Sequence, residues 1–113
     1  MSKRDELIGH YAHEIRGKLG DEPDMDLLRK VTIGCGPSIY SRDSATVATS
    51  QPKEMEAVKN NFLIRKLGLS DGPKLTEGIE AVTEKYGRSN TSKYRAVFYY
   101  LLVQHFGKES VYE

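Results

Sequence analysis

The 113-residue chain has one cysteine, no apolar run longer than eight residues, and almost no surplus of either charge. Cys35, being alone, cannot form an internal disulfide, which fits a reducing compartment and a cytoplasmic location. The longest apolar run, Ala96 to Val103, falls far short of the ~20 residues that span a bilayer as a helix, so no membrane partner is expected. The 17 basic and 16 acidic residues leave a formal net charge of +1, which removes the simplest electrostatic argument for a polyanionic partner. Period-two alternation of apolar and polar residues is scarce, and so are internal repeats and low-complexity tracts. The first residues, Met1-Ser2-Lys3-Arg4-Asp5-Glu6, carry charge of both signs and lead into an amphipathic stretch, which reads as no signal peptide.

What is present is apolar spacing of three and four. With 38% hydrophobic residues, the chain has enough apolar area for one modest core, and the expectation is a single compact domain over residues 1–113. Leu7, Ile8, Tyr11, Ile15 and Leu19 share a stripe on a helix from Ser2 to about Leu19, with Gly20 as its stop. A short second helix starts at Asp24 as N-cap, carries Leu27, Leu28 and Val31, and breaks at Gly34-Cys35-Gly36-Pro37. Ser38 to Ser50 reads as a long connection, with Asp43 capping a short turn within it. A third helix starts near Ser50 with Pro52 in its first turn, places Met55, Val58, Phe62, Leu63 and Leu67 on the core, and ends at Gly68-Leu69. Asp71-Gly72-Pro73 opens a fourth helix with Leu75, Ile79, Val82 and Tyr86 as its stripe and Gly87 as its end. Ser89, Asn90, Thr91 and Ser92 offer N-caps for a fifth, which stops at Gly107 and is apolar nearly all round. The predicted fold is all-α: about five helices around a buried C-terminal helix.

Three stretches resemble a known family: Gly36 to Tyr40 (GPSIY), Lys59 to Leu69 (KNNFLIRKLGL) and Lys93 to Leu102 (KYRAVFYYLL). They are similar to small bacterial proteins catalogued as a domain of unknown function. The likeness runs through the Lys108 to Tyr112 tail and covers almost the whole chain. It implies a compact helical protein from a bacterium and no activity. Cys35 departs from the pattern, which has an apolar residue there, and this weighs against a thiol mechanism shared by the family.

Three constellations carry candidate chemistry. Glu6, His10 and His13 share a face of the first helix, and two imidazoles with a carboxylate suit zinc or nickel. Their spacing does not match the zinc-protease helix, and a solvated face explains them as well. Gly34, Gly36 and Ser38 offer backbone N–H groups and a hydroxyl for a small anion, although no phosphate-loop or dinucleotide pattern surrounds them. Lys85, Arg88, Lys93 and Arg95 form a basic corner for weak nucleic-acid contact. Residues 1–56 hold 8 basic and 10 acidic groups and residues 57–113 hold 9 and 6, so the near-neutral total hides a polarity. A helix-turn-helix reading fails because Glu77, Glu80 and Glu84 would face the phosphates. His105 is expected as a core or boundary residue held by one hydrogen bond. Tyr86, Tyr94, Tyr99 and Tyr100 are expected as core rings whose hydroxyls reach the surface or a buried partner, and Asn60 or Asn61 as making a side-chain bond to a neighbouring loop. No catalytic residue set and no cofactor is expected, which makes an enzyme the least favoured class. The leading expectation is a non-catalytic protein acting through protein contacts or self-association. A small-anion or metal binder is the alternative, and nucleic-acid association is a further one that the charge pattern disfavours.

Overall fold

Polar side chains and glycines set the helix ends. The computed structural model describes residues 2–87 and 92–112. Helix α1 (Lys3–Glu14) begins where Ser2 Oγ accepts the Asp5 N–H at 3.1 Å, satisfying one orphan donor of the first turn. It continues as a π-helical turn over Ile15–Leu19 and ends at Gly20, whose φ of +68° suits a residue without Cβ. Helix α2 (Met25–Cys35) is capped by Asp24, whose Oδ1 accepts the Leu27 N–H at 3.1 Å. Gly36 then takes φ +66° and a 3₁₀ turn runs over Gly36–Tyr40. Of the two glycines flanking Cys35, only Gly36 uses this freedom, and Gly34 remains helical.

The long connection contains an element that its composition hides. Strand β1 (Thr46–Ala48) pairs antiparallel with β2 (Ser92–Tyr94), placing Thr46 opposite Tyr94 and Val47 opposite Lys93. The predicted all-α fold is therefore mostly α, with one small two-stranded sheet. The turn before β1 is closed by Ser44 and Ala45 N–H groups on the Ser41 carbonyl, not by Asp43. Helix α3 (Pro52–Ala57) runs into a π-helical segment over Val58–Ile64, where Arg65 and Leu67 N–H groups reach back five residues to Asn60 and Phe62. Among the described residues the expected Asn60 or Asn61 bond to a loop is not made. Asn60 Nδ2 reaches Glu56 Oε1 on its own helix at 3.5 Å.

Helix α4 (Pro73–Tyr86) starts on Pro73 and buries Leu75, Ile79, Val82 and Tyr86 as its spacing predicts. Helix α5 (Arg95–Phe106) follows β2 directly, with Tyr94 as an extended N-cap and no side-chain cap bond. The strand occupies the place where the sequence suggested N-caps. Ser92 belongs to β2, while Ser89, Asn90 and Thr91 lie outside the described residues. A 3₁₀ turn over Glu109–Tyr112 follows α5.

Helix α5 buries seven consecutive or near-consecutive side chains, from Ala96 to Val103, and packs against α2 and α4. That makes it the central element. The close α4–α5 approach needs Gly78, because a Cβ there would fall 2.2 Å from Phe106 Cζ. His105 is exposed, where a core or boundary position is expected, since the fully buried run of α5 ends at Val103 and in the last turn Phe106 packs back on the core. The tyrosine hydroxyls find partners. Tyr100 accepts the Asp24 N–H at 2.8 Å, and Tyr86 donates to Glu14 Oε2 at 2.9 Å while accepting the Tyr94 N–H at 3.2 Å. Tyr11 differs: its buried hydroxyl has no hydrogen-bond partner among the described residues.

Candidate functional site

The end of α2, the 36–50 connection, the π-helical segment, the start of α5 and the C-terminal turn meet around a cleft of about 340 Å³. Val31, Gly34 and Cys35 come from α2, and Ser38 and Ser44 from the connection. Asn61 and Phe62 come from the π-helical segment, followed by Lys66, while Arg95 and Tyr99 come from α5 and Tyr112 from the tail. This volume lies near the lower end of the ~300–1,000 Å³ typical of ligand clefts, and the lining is mainly apolar. Widening of the helix to π geometry at Asn61 is a feature often found at functional sites.

Arg95 is the best-fixed group in the cleft. Its Nε donates to the Ser44 carbonyl at 2.7 Å, Nη1 to the Tyr99 hydroxyl at 2.8 Å and Nη2 to Glu54 Oε1 at 3.3 Å. These bonds leave two of the five guanidinium N–H donors for other use. The second cation, Lys66, lies with Nζ 5.2 Å from the Tyr112 ring centroid and pairs with no carboxylate among the described residues. Phe62 and Tyr99 stack with centroids 3.9 Å apart and planes 13° from parallel, so one stacked pair forms the aromatic wall of the cleft. Tyr112 covers Gly34 so closely that a Cβ there would lie 3.3 Å from its ring.

Protonation states follow from burial. Burial pushes the Cys35 thiol up to about 11, with Arg95 opposing weakly, so at neutral pH it is a thiol and a poor nucleophile. Burial also raises Tyr99, against the Arg95 charge, and takes Tyr112 up to about 12. Both phenols are therefore neutral donors. The two serine hydroxyls are already spent as donors: Ser38 Oγ on the Cys35 carbonyl at 2.8 Å and Ser44 Oγ on the Ser38 carbonyl at 2.9 Å. No histidine lines the cleft among its described residues.

The residues singled out from the sequence fall differently. Of the anion candidates, Gly34 and Ser38 line the cleft and Gly36 does not. Glu6, His10 and His13 are all exposed on α1, and His10 Nε2 lies 3.1 Å from the Tyr94 hydroxyl. Among the described residues no group of three His, Cys, Asp or Glu side chains is arranged to hold a metal ion. Among the described residues the basic corner is not one exposed surface. Lys93 is fully buried, donating to Thr49 Oγ1 at 3.0 Å with its Nζ 5.8 Å from the Tyr86 ring centroid. Arg95 is pinned inside the cleft, Lys85 pairs with Asp21 at 3.1 Å, and Arg88 lies outside the described residues. A strand was the cause: β2 turns Lys93 inward where a helix N-terminus would have left it in solvent. Glu77, Glu80 and Glu84 are exposed along α4, as the sequence indicated.

Lys66, Asn61, Tyr99 and Tyr112 were missed as site residues. They lie far apart in sequence and had local readings as surface or core; the Asn-Asn pair in mid-helix was the one available signal.

Among the described residues no helix is long and apolar enough to cross a membrane. No curated protein matches the chain. A family model does, over residues 10–110, described as "Protein of unknown function (DUF2853)". That match spans α2 to α5, the second half of α1, both strands and every residue of the cleft except Tyr112, and the chain belongs to this family of proteins of unknown function.

Proposed function

We propose that this is a non-catalytic small-molecule binding protein whose cleft, between the Gly34–Ser44 stretch and α5, takes a small organic anion. The observation that carries the reading is the pairing of Lys66 with a rigidly held Arg95 in one mainly apolar cleft of about 340 Å³. Two cations beside a mainly apolar surface attract an anion more strongly than the same pair in open water. Binding is favoured over catalysis, because Cys35 is held as a thiol at neutral pH and the Ser38 and Ser44 hydroxyls donate to backbone carbonyls instead of to a base. The lone, unpaired Cys35 also supports the reducing cytoplasm as the site of action, and the family resemblance supports a bacterial source.

Thermal shift against carboxylates, phosphates, nucleotides and divalent metals tests this. A ligand at a hundredfold excess over its Kd stabilises the native state by about 2.7 kcal/mol. An organic anion that raises Tm in wild type but not in Lys66→Gln is the expected result, and a panel without any shift sinks the reading. Self-association is a second reading, favoured by the exposure of Ile33 (46%) and Tyr40 (50%) on α2 and the turn behind it. Light scattering that gives a monomer mass at all concentrations removes it.

A further inference from the structure

The charge in the cleft is more selective than a count of cations suggests. Glu54 sits 3.3 Å from Arg95 Nη2 and offsets one of the two positive charges, leaving about one in excess. The C-terminal end of α2 reaches the cleft at Gly34 and Cys35, and a helix C-terminus carries partial negative charge. Around it the carbonyls of Cys35, Ser38 and Ser44 accept from Ser38 Oγ, Ser44 Oγ and Arg95 Nε, and the N–H groups of Ser44 and Arg95 are taken by the Ser41 and Ala45 carbonyls. The start of α5 at Arg95 brings a helix N-terminus to the same cleft, and its partial positive charge offsets the α2 end, so the excess stays near one charge. A phosphate dianion is best met by two uncompensated cations or a nest of free backbone N–H groups. One negative charge fits this cleft and two do not.

The rest of the cleft describes the body that carries that charge. The stacked Phe62–Tyr99 pair supplies aromatic surface, and Val31 and Tyr112 supply further apolar surface. At the ~30 Å³ that a water-sized unit occupies in the liquid, the volume holds roughly ten non-hydrogen atoms. Arg95 is immobilised and presents two remaining N–H donors. Fixed guanidinium donors suit a planar carboxylate, and a positioned donor loses little entropy on binding. Lys66 and the neutral Tyr99 hydroxyl supply further donors.

Resting on the anion-binding reading above, we propose that the ligand class is a monocarboxylate on a flat apolar body, of about the size of an aryl-alkanoic acid. The carboxylate meets Arg95 and Lys66, and the ring lies against the Phe62–Tyr99 pair.

Isothermal titration of the wild-type chain with 3-phenylpropionate, phenyl phosphate, phenethylamine and acetate tests the class. Expected is 3-phenylpropionate binding at least tenfold tighter than phenyl phosphate or acetate, with no binding of the amine. Lys66→Gln should weaken 3-phenylpropionate at least fivefold while leaving Tm unchanged, because Lys66 is exposed. Phenyl phosphate binding as tightly as the carboxylate overturns the ligand class and leaves the anion cleft standing. Acetate binding equally well overturns the role given to the aromatic wall. If no anion binds at millimolar concentration, or the amine binds best, both the class and the anion-binding reading fail.

Discussion

Tyr86→Phe removes one oxygen atom from a buried junction of three elements. The hydroxyl donates to Glu14 Oε2 at the end of α1 and accepts the Tyr94 N–H in β2, and the ring itself is 2% exposed. Without it the Tyr94 N–H is left buried and unpaired, which costs about 1–3 kcal/mol, the usual range for an orphaned donor. The loss at Glu14 is smaller, since that side chain is 17% exposed and keeps Lys18 at 3.9 Å. The total is about 2–3 kcal/mol. With an unfolding entropy near 2.1 cal/mol/K per residue, a chain of this length loses roughly 8–12 °C in Tm. Tyr11→Phe is the matched control. It removes a hydroxyl that is equally buried but unpartnered, so it should leave stability unchanged or raise it by about 1 kcal/mol. Calorimetry at pH 7, supported by urea denaturation with unchanged m-values, reads both. If Tyr11→Phe loses as much as Tyr86→Phe, or if Tyr86→Phe is silent, hydrogen-bond accounting does not explain this junction.

Gly78→Ala gains up to ~1 kcal/mol of helix propensity, yet its Cβ would stand 2.2 Å from Phe106 Cζ and 2.7 Å from Cε2. The net expectation is a loss of about 1–3 kcal/mol as the ring is displaced, the usual cost of overpacking. Chemical denaturation of Gly78→Ala, Phe106→Leu and the double variant should show a coupling that recovers much of the loss; strict additivity refutes the contact. Alkaline pH should destabilise the fold. Cys35 rises from 9.0 to about 11, and Tyr11 and Tyr112 rise from 10.0 to about 12, all through burial. Between about pH 9 and 12 the folded chain therefore binds more protons than the unfolded one, and stability falls as pH rises. Below pH 9 these groups leave Tm unchanged. Cys35→Ala should flatten the part of the fall that begins near pH 9, and a Tm that climbs between pH 9 and 11 contradicts the burial of these groups.

What could be read in the sequence was local. Ser2 and Asp24 are N-caps because a short polar side chain before an apolar stripe can satisfy a first-turn N–H within its own segment. Gly20, Gly68, Gly87 and Gly107 end helices for an equally local reason, and all four take positive φ. The unread features depend on distant partners. A three-residue strand shows no alternation that a helical pattern cannot mimic, so β1 and β2 were hidden until Thr46 met Tyr94 across nearly fifty residues. That pairing buried Lys93, which by composition alone reads as a solvated base. The π geometry over Val58–Ile64 was invisible for a related reason: its apolar stripe still reads as period 3.6 at Val58, Phe62 and Leu63.

The long connection between α2 and α3 and the cleft have a single explanation in Arg95. Its backbone N–H holds the Ala45 carbonyl at 2.8 Å and its Nε holds the neighbouring Ser44 carbonyl at 2.7 Å. Nη2 reaches Glu54 on α3. One residue, the first of the buried central helix, thus ties down the loop that forms one wall of the cleft and is itself the cleft's fixed cation. A connection of this length in so small a domain gains order through specific bonds or serves a site, and here the same bonds do both. Removing the Arg95 side chain would therefore release the wall as well as the charge. The exposed Lys66 side chain, which makes no such bonds, is the position at which binding is separable from folding.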